Sequence, residues 1–419
     1  NPSGIKELLE ASIARKIVDL QMKGQRVQNV EITQDDVMAY LRSNHGQKLM
    51  AGDTHLREVF EQMWSDFDKK YTGQDGLKSK IKNDLFQHFA NPLDHNMTSF
   101  VFAGPPGGGK SFLAEQMAVN FFDGALLTIN AGELGQGGMG ISKLIGSSAG
   151  YVGSREQHSI LTKFFADHPS GGIIKVEEAD YLSHEIIQLF TNMITDRKVM
   201  DGLGKEWNTS KYMLVMNTNV GQDLMIPSNS KNRMTWEQFN IRRQGITEKI
   251  LVDGKRVEIV RKDKSEGVFE QFIEKIVMKS NPNADTSIVS QEAQKQKRRY
   301  KFYYIMPPTK EELLLAAQNK IQKYIKVAKV NYGVNIAIDT KLVESIVDVE
   351  NFDFEKGYGY VNAQLEDKLL QFLNNHLHEK GATITASVHS KVVQFEGRNH
   401  PENELWLTIN TGVQNEVEK

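Results

Sequence analysis

At 419 residues the chain is too long for one ordinary domain, and its charges nearly cancel, with 51 Lys and Arg against 53 Asp and Glu. That balance disfavours nucleic acid as the main partner, while zero cysteines exclude disulfides, thiolate catalysis and cysteine metal sites and fit a cytoplasmic protein. No apolar run approaches membrane-span length, nothing resembles a signal peptide, and a first residue of Asn1 rather than Met suggests a processed product or part of something longer.

Ile5, Leu8, Leu9, Ile13, Ile17 and Leu20 recur at helical spacing, and Thr33 with Asp36 marks a capped start before Val37, Tyr40 and Leu41. A second helical run carries Leu56, Val59, Phe60, Met63, Trp64 and Phe67, and ends at the turn Tyr71-Thr72-Gly73-Gln74-Asp75 ahead of another helix. From Ser99 to Gly221 short apolar runs, Phe100–Ala103, Ala125–Ile129, Ile173–Val176 and Tyr212–Met216, alternate with helical ones. This α/β alternation predicts a parallel sheet with helices on both faces. Residues 222–300 turn polar, and within them Ile246–Val252, Asp253-Gly254 and Lys255–Val260 predict a β-hairpin, most simply one inserted in a long loop. Thr309 and Glu312 form a capping box that opens a long helix, more helices follow to about Leu377, and Ala382–Gln394 and Glu404–Ile409 alternate like strands. The expected organisation is an N-terminal helical segment over 1–70, a large domain over 71–306 with a hairpin insertion at about 222–300, and a smaller, mostly helical domain over 307–419 that ends in β-strands.

The chemistry starts where Phe100–Ala103 breaks into Gly104-Pro105-Pro106-Gly107-Gly108-Gly109 and re-emerges as helix former at Lys110-Ser111-Phe112. Strand, loop and helix at the spacing Gly104-x-x-x-x-Gly109-Lys110-Ser111 fit a phosphate-binding loop. Its backbone N–H groups and helix end hold phosphates, Lys110 reaches the β/γ-phosphates and Ser111 holds Mg²⁺. Further on, Gly171-Gly172-Ile173-Ile174-Lys175-Val176-Glu177-Glu178 puts two acids at a strand end. In nucleotide hydrolases such a strand supplies one carboxylate for Mg²⁺, here Glu177, and one to polarise the attacking water, here Glu178. The strand Tyr212–Met216 runs into Asn217-Thr218-Asn219, which places Asn219 for the γ-phosphate or the water.

With these motifs the stretch from about 30 to 221 resembles the second ATPase module of the Clp class of AAA+ unfoldases, the ClpA and ClpB type. Gly73-Gln74-Asp75 is similar to that family's adenine-contacting turn, Leu144-Ile145-Gly146 through Gly150-Tyr151-Val152-Gly153 to its central pore loop, and Asp201-Gly202-Leu203-Gly204 to the turn before the sensor strand. The resemblance implies an AAA+ P-loop fold, ATP with Mg²⁺, and a ring, usually a hexamer, that threads a protein client through its channel. Tyr151, with Val152, would then grip the polypeptide, an aromatic face on a Gly-flanked loop being sequence-tolerant. The family also places an arginine, donated to the neighbouring subunit, shortly before a strand and a Pro-Leu-Thr-Lys-Glu-like element. Phe302–Ile305 and Pro307-Pro308-Thr309-Lys310-Glu311 stand there, which points to Arg298, with Arg299 second. Val30–Asp36 resembles the link from a first module to a second.

The chain departs from the family in three places. Glu177 replaces the usual Asp, Lys175 is unusual inside its strand, and Gly357-Tyr358-Gly359-Tyr360-Val361-Asn362 lacks the sensor 2 arginine, so that either another residue such as Lys356 substitutes or coupling of the small domain to the γ-phosphate is weakened. These bear on turnover more than on binding, so the alternative to a remodelling motor is a nucleotide-dependent assembly or scaffold component with slow or absent hydrolysis. A nucleic-acid motor is disfavoured by the balanced charge and the Gly-Tyr-Val-Gly loop. No Ile-Gly-Leu or Ile-Gly-Phe loop occurs in 222–300, which disfavours a peptidase ring, and His376 and His378, two apart on a helix, point to different faces and make no metal pair. The hairpin at 246–260 either docks a specific partner or decorates the ring.

Overall fold

The computed structural model describes residues 56–90, 97–135, 138–147, 159–227, 234–252, 254–338, 340–347, 352–375, 383–395, 398–410 and 415–418. The chain divides into two compact units, one from 1–104, 110–221 and 246–305, the other from 105–109, 222–245 and 306–419.

The first unit opens with α1 (Leu56–Lys70) and α2 (Asp75–Ala90), followed by β1 (Thr98–Ala103), α3 (Lys110–Phe121) and β2 (Leu126–Asn130). Next come α4 (Ala131–Leu134), α5 (Gly138–Ile145), α6 (Ile160–Asp167), β3 (Gly172–Glu177) and α7 (His184–Asp196). A small antiparallel pair, β4 (Lys198–Met200) and β5 (Glu206–Asn208), precedes β6 (Tyr212–Thr218). Strands β2, β3, β6 and β1 pair in that order, all parallel, and β9 (Lys301–Tyr304) extends the sheet as a fifth strand beside β1. Every residue of β1 and β6 is buried, as expected of inner parallel strands covered by flanking helices. Aromatic side chains fill the core on the α1 and α3 side. Phe60, Trp64, Phe67 and Phe121 are all at most 8% exposed, and Trp64 and Phe67 lie 4.9 Å apart between ring centroids.

Residues 222–300 are more helical than a hairpin in a long loop. After α8 (Trp236–Ile246) the hairpin β7 (Thr247–Val252) and β8 (Lys255–Val260) forms in the expected register, but α9 (Lys262–Ser280) and α10 (Thr286–Lys297) then lead into β9. The polar average of the segment masks a helical stripe: Val268, Phe269, Phe272, Ile273, Ile276 and Val277 recur at i, i+4 and i+8 and are buried on α9. The hairpin in turn packs on α2. A Cβ on Gly76 would stand 2.2 Å from the carbonyl oxygen of Glu258, so only glycine permits this approach.

In the second unit Trp236, Phe239, Phe352 and Phe354 pack ring on ring, the Trp236 and Phe354 centroids 4.7 Å apart, which ties 234–245 to the C-terminal segment. The Thr309–Glu312 capping box forms with both reciprocal bonds and starts α11 (Lys310–Val327). Strand β10 (Asn335–Ile338), α12 (Thr340–Val347), α13 (Tyr358–Leu365) and α14 (Gln371–Asn375) follow. The unit ends in β11 (Thr383–Phe395), β12 (Arg398–Asn410) and β13 (Asn415–Glu418), a sheet in which β10 pairs parallel with β11 and the rest antiparallel.

Candidate nucleotide site

The carboxyl ends of β1, β3 and β6 lie side by side, and the polar residues that leave these strands converge there. At the end of β1 the chain turns at Gly104, whose φ is +131° and whose missing Cβ would meet the carbonyl oxygen of Ile305 at 2.3 Å. Helix α3 begins at Lys110, so its unbonded N–H groups face the same mouth, a setting that favours an anion. Lys110 donates from Nζ to the Gly104 carbonyl at 2.7 Å and to Asn219 Oδ1 at 2.9 Å. Burial lowers its pKa to about 8, against the opposing pull of Glu177 and Asp180. Asn219 itself is exposed, one residue beyond β6.

Glu177 closes β3 and is held from several sides. Asn217 Nδ2 donates to its Oε2 at 3.1 Å and to Ser111 Oγ at 3.4 Å, and the buried Lys175 ammonium lies 3.1 Å from Oε1 and 2.9 Å from Glu115. Burial alone would raise the Glu177 pKa. Hydrogen bonds from Ser111 and Asn217, with Lys175, outweigh it and hold the carboxyl below its ordinary value. Lys175, unusual within an apolar strand, therefore serves as a buried counter-charge. Glu178 is the opposite case: exposed, and held in left-handed backbone at φ 56°, a costly conformation for a non-glycine residue.

Three functional candidates escaped the sequence reading. Asn217 is 1% exposed and its Oδ1 has no partner among the described residues; Thr218 donates to Asp180 at 2.7 Å; and Asp180 pairs with Lys275 at 3.3 Å. The available signal was polar side chains at the end of an otherwise apolar buried strand, which cost free energy unless bonded.

The other sequence candidates are placed as follows. Gly73 and Gln74 both have positive φ, 80° and 56°, and Gln74 is buried; Phe112, exposed, stacks on Tyr71 at the same turn with centroids 6.1 Å apart. Pro105, Pro106, Gly107, Gly108 and Gly109 belong to the second unit. There Gly107 accepts from Tyr358 N at 3.0 Å, and its Cβ would stand 2.2 Å from the Lys356 carbonyl oxygen. Gly357 caps α13, while the exposed Lys356 ammonium turns to Asp353 at 3.4 Å. Tyr151 and Val152, with Gly150 and Gly153, lie outside the described residues, as do His376 and His378. Gly202 of the β4–β5 turn donates to the Ile145 carbonyl at 2.9 Å, next to the segment that leads to Tyr151.

Arg298 is not brought together with the others. It follows α10, exposed and without an ion pair among the described residues, and precedes β9, whose first residue Lys301 pairs with Phe100. Parallel pairing puts Arg298 at the amino-end rim of the sheet, at least the length of β9, about 13 Å, from the carboxyl ends. Among the described residues no group of three or more His, Cys, Asp and Glu is arranged for a metal ion, and no helix is long and apolar enough to cross a membrane.

The family profile described as AAA domain (Cdc48 subfamily) matches residues 95–256. Among curated relatives, the chaperone protein ClpB 1 of Thermosynechococcus vestitus is 26% identical over 250 residues, 56% of this chain and 27% of that protein. The chloroplastic chaperone protein ClpB2 of Oryza sativa subsp. japonica is 27% identical over 51% of this chain and 22% of its own length. The ATP-dependent Clp protease ATP-binding subunit ClpL of a Staphylococcus aureus strain is 29% identical over 40% and 24%. The matched part thus spans about a quarter of the length of these relatives. Residues 95–256 are an AAA domain, and the chain carries an AAA+ ATPase module of the Clp class.

Proposed function

We propose that this AAA+ module hydrolyses ATP to remodel or unfold proteins, as one subunit of a cytoplasmic ring, a hexamer by family resemblance, that threads its client past Tyr151. The observation that carries the reading is the split of the chemistry across the sheet. Lys110, Ser111, Glu177 and Asn219 converge at the carboxyl ends, while Arg298 stands at the opposite rim without an ion pair among the described residues, far from Lys110 and Ser111 of its own chain and suited to a neighbour's. In this reading Lys110 holds the β/γ-phosphates and exchanges its bond to the Gly104 carbonyl for them. Asn219, already bonded to Lys110, orients the γ-phosphoryl group, and Glu178 takes the proton of the attacking water. Arg298 of a second copy stabilises charge spreading over the γ-phosphoryl oxygens, of order 10³–10⁵ in rate in GTPase precedents.

The oxygen donors Ser111 Oγ and the ionised Glu177, bridged by Asn217, suit a hard cation, and the unpartnered Asn217 Oδ1 adds an acceptor for its water shell. Ser111 and Glu177 would hold Mg²⁺ there, which would supply charge neutralisation for the phosphates. Sizing the protein with and without ATP, together with turnover in the presence of an unfolded protein client, tests the reading. ATP-dependent assembly with client-stimulated turnover that Tyr151→Ala removes is expected. Turnover indifferent to every client, unchanged in Tyr151→Ala, would sink the threading half.

Two observations favour a second reading, a nucleotide-gated scaffold with slow hydrolysis. Lys175 competes with Mg²⁺ for Glu177, and Lys356 points to Asp353 where a sensor 2 arginine would act. Assembly with ATP but no steady-state turnover is the outcome that selects it.

A further inference from the structure

A second site lies in the first unit and shares no residue with the nucleotide site. A cleft of about 560 Å³ opens between α7, α9 and α10, within the size range of ligand pockets. Its floor is apolar, made by Ile187 of α7 and by Ile273, Ile276 and Val277 of α9. Its wall is polar, with Glu292, Lys295, Gln296 and Arg299 joined by His184, Gln188, Thr191 and Asn192 of α7.

Gln296 is 5% exposed, and its amide is oriented from within. Nε2 donates to Glu292 Oε1 at 2.6 Å; turning the amide over would set oxygen against oxygen. The carbonyl Oε1 is therefore the free end, and it has no partner among the described residues, an expensive state for a buried acceptor. Charge is unbalanced in the same direction. Glu292 is engaged by Gln296 and by Lys295 at 3.5 Å, while Arg299 makes no ion pair among the described residues. The cleft thus leaves two groups unmet among the described residues, the Gln296 acceptor and the Arg299 cation, beside a floor of apolar side chains.

We propose that this cleft binds the carboxyl-terminal residue of a peptide whose last side chain is apolar. The last peptide N–H donates to Gln296 Oε1, the α-carboxylate pairs with the Arg299 guanidinium, and the side chain covers Ile273 and Ile276. An internal peptide segment supplies the donor and the apolar group but no anion, and an inorganic phosphate supplies the anion alone. The assignment rests on one chain's first unit and stands whether or not the protein forms a ring or threads a client.

The test uses the full chain and an N-terminally labelled six-residue peptide of glycine and serine ending in leucine, as free acid and as C-terminal amide, read by fluorescence anisotropy. The acid is expected to bind saturably, the amide about tenfold more weakly or worse, as loss of one charge-assisted bond predicts. Arg299→Ala should weaken the acid to the level of the amide and leave the amide unchanged, and Gln296→Met should weaken both alike. Equal binding of acid and amide, no binding of the acid up to millimolar peptide, or an acid affinity indifferent to Arg299→Ala overturns the proposal. So does binding lost in Tyr151→Ala but kept in Arg299→Ala, which would place the peptide at the proposed pore loop instead.

Discussion

The two ends of the parallel sheet are built in opposite ways. At the carboxyl ends Ser111, Glu177 and Asn217 are tied to one another and, through Glu177, to Lys175, while Lys110 is held by the Gly104 carbonyl and Asn219, so their geometry is set before any nucleotide arrives. At the amino-end rim Arg298 follows the last turn of α10, exposed and without an ion pair among the described residues. A buried polar network costs free energy unless every member is bonded, so it forms within one chain; a solvated arginine costs little to leave open. The contrast separates what this chain completes alone from what it offers outward.

The sharpest way to break that comparison is Lys110→Ala. It removes the ammonium that would meet the phosphates and should abolish tight ATP binding and lower turnover by about a hundredfold or more, checked by nucleotide titration and phosphate release. Glu178→Gln should retain ATP binding while turnover falls by about 10²–10⁴, the usual contribution of a general base. If binding is lost as well, Glu178 is a structural residue of the strained turn. Arg298→Ala should also bind ATP without efficient turnover, and mixing is decisive: Lys110→Ala chains supply an intact Arg298 and Arg298→Ala chains an intact loop. Activity recovered on mixing requires action between copies, whereas none recovered removes the outward role of the rim.

Smaller effects sharpen the comparison. With the Lys110 pKa lowered to about 8, the ammonium is lost as pH rises through that value, so ATP affinity should fall above pH 8, by up to tenfold per unit, until the lysine is neutral. The sign for folding is opposite. The unfolded lysine holds its proton to about pH 10.4, so this group's contribution to stability rises between pH 8 and that value. Lys175→Met, close in volume, leaves Glu177 and Glu115 without their counter-charge and should destabilise the fold, by less than the roughly 3–5 kcal/mol of a fully buried pair because both carboxylates are partly exposed, and lower the half-saturating Mg²⁺ concentration a few-fold by freeing Glu177. A raised Mg²⁺ requirement would show instead that Lys175 positions the carboxylate.

Local patterns carried much of this molecule. The phosphate loop, the strands Phe100–Ala103 and Tyr212–Met216, the hairpin of Thr247–Val252 with Lys255–Val260 and the Thr309–Glu312 capping box are written in spacing, because a buried parallel strand, a tight hairpin connection and a helix start each demand particular residues in sequence neighbours. Helices α9 and α10 were obscured by the charged face they show to solvent, although the buried stripe of α9 is periodic. Tertiary structure alone decided the rest. It made Lys175 a counter-charge, brought Asn217 between Ser111 and Glu177, set Arg298 at the far rim and opened the cleft at Gln296. The decisive contacts join residues distant in sequence, Lys175 with Glu115, Asn217 with Ser111 and Glu177, and α7 with α9 and α10 around the cleft, and they follow from which element lies beside which, a property that no local spacing encodes.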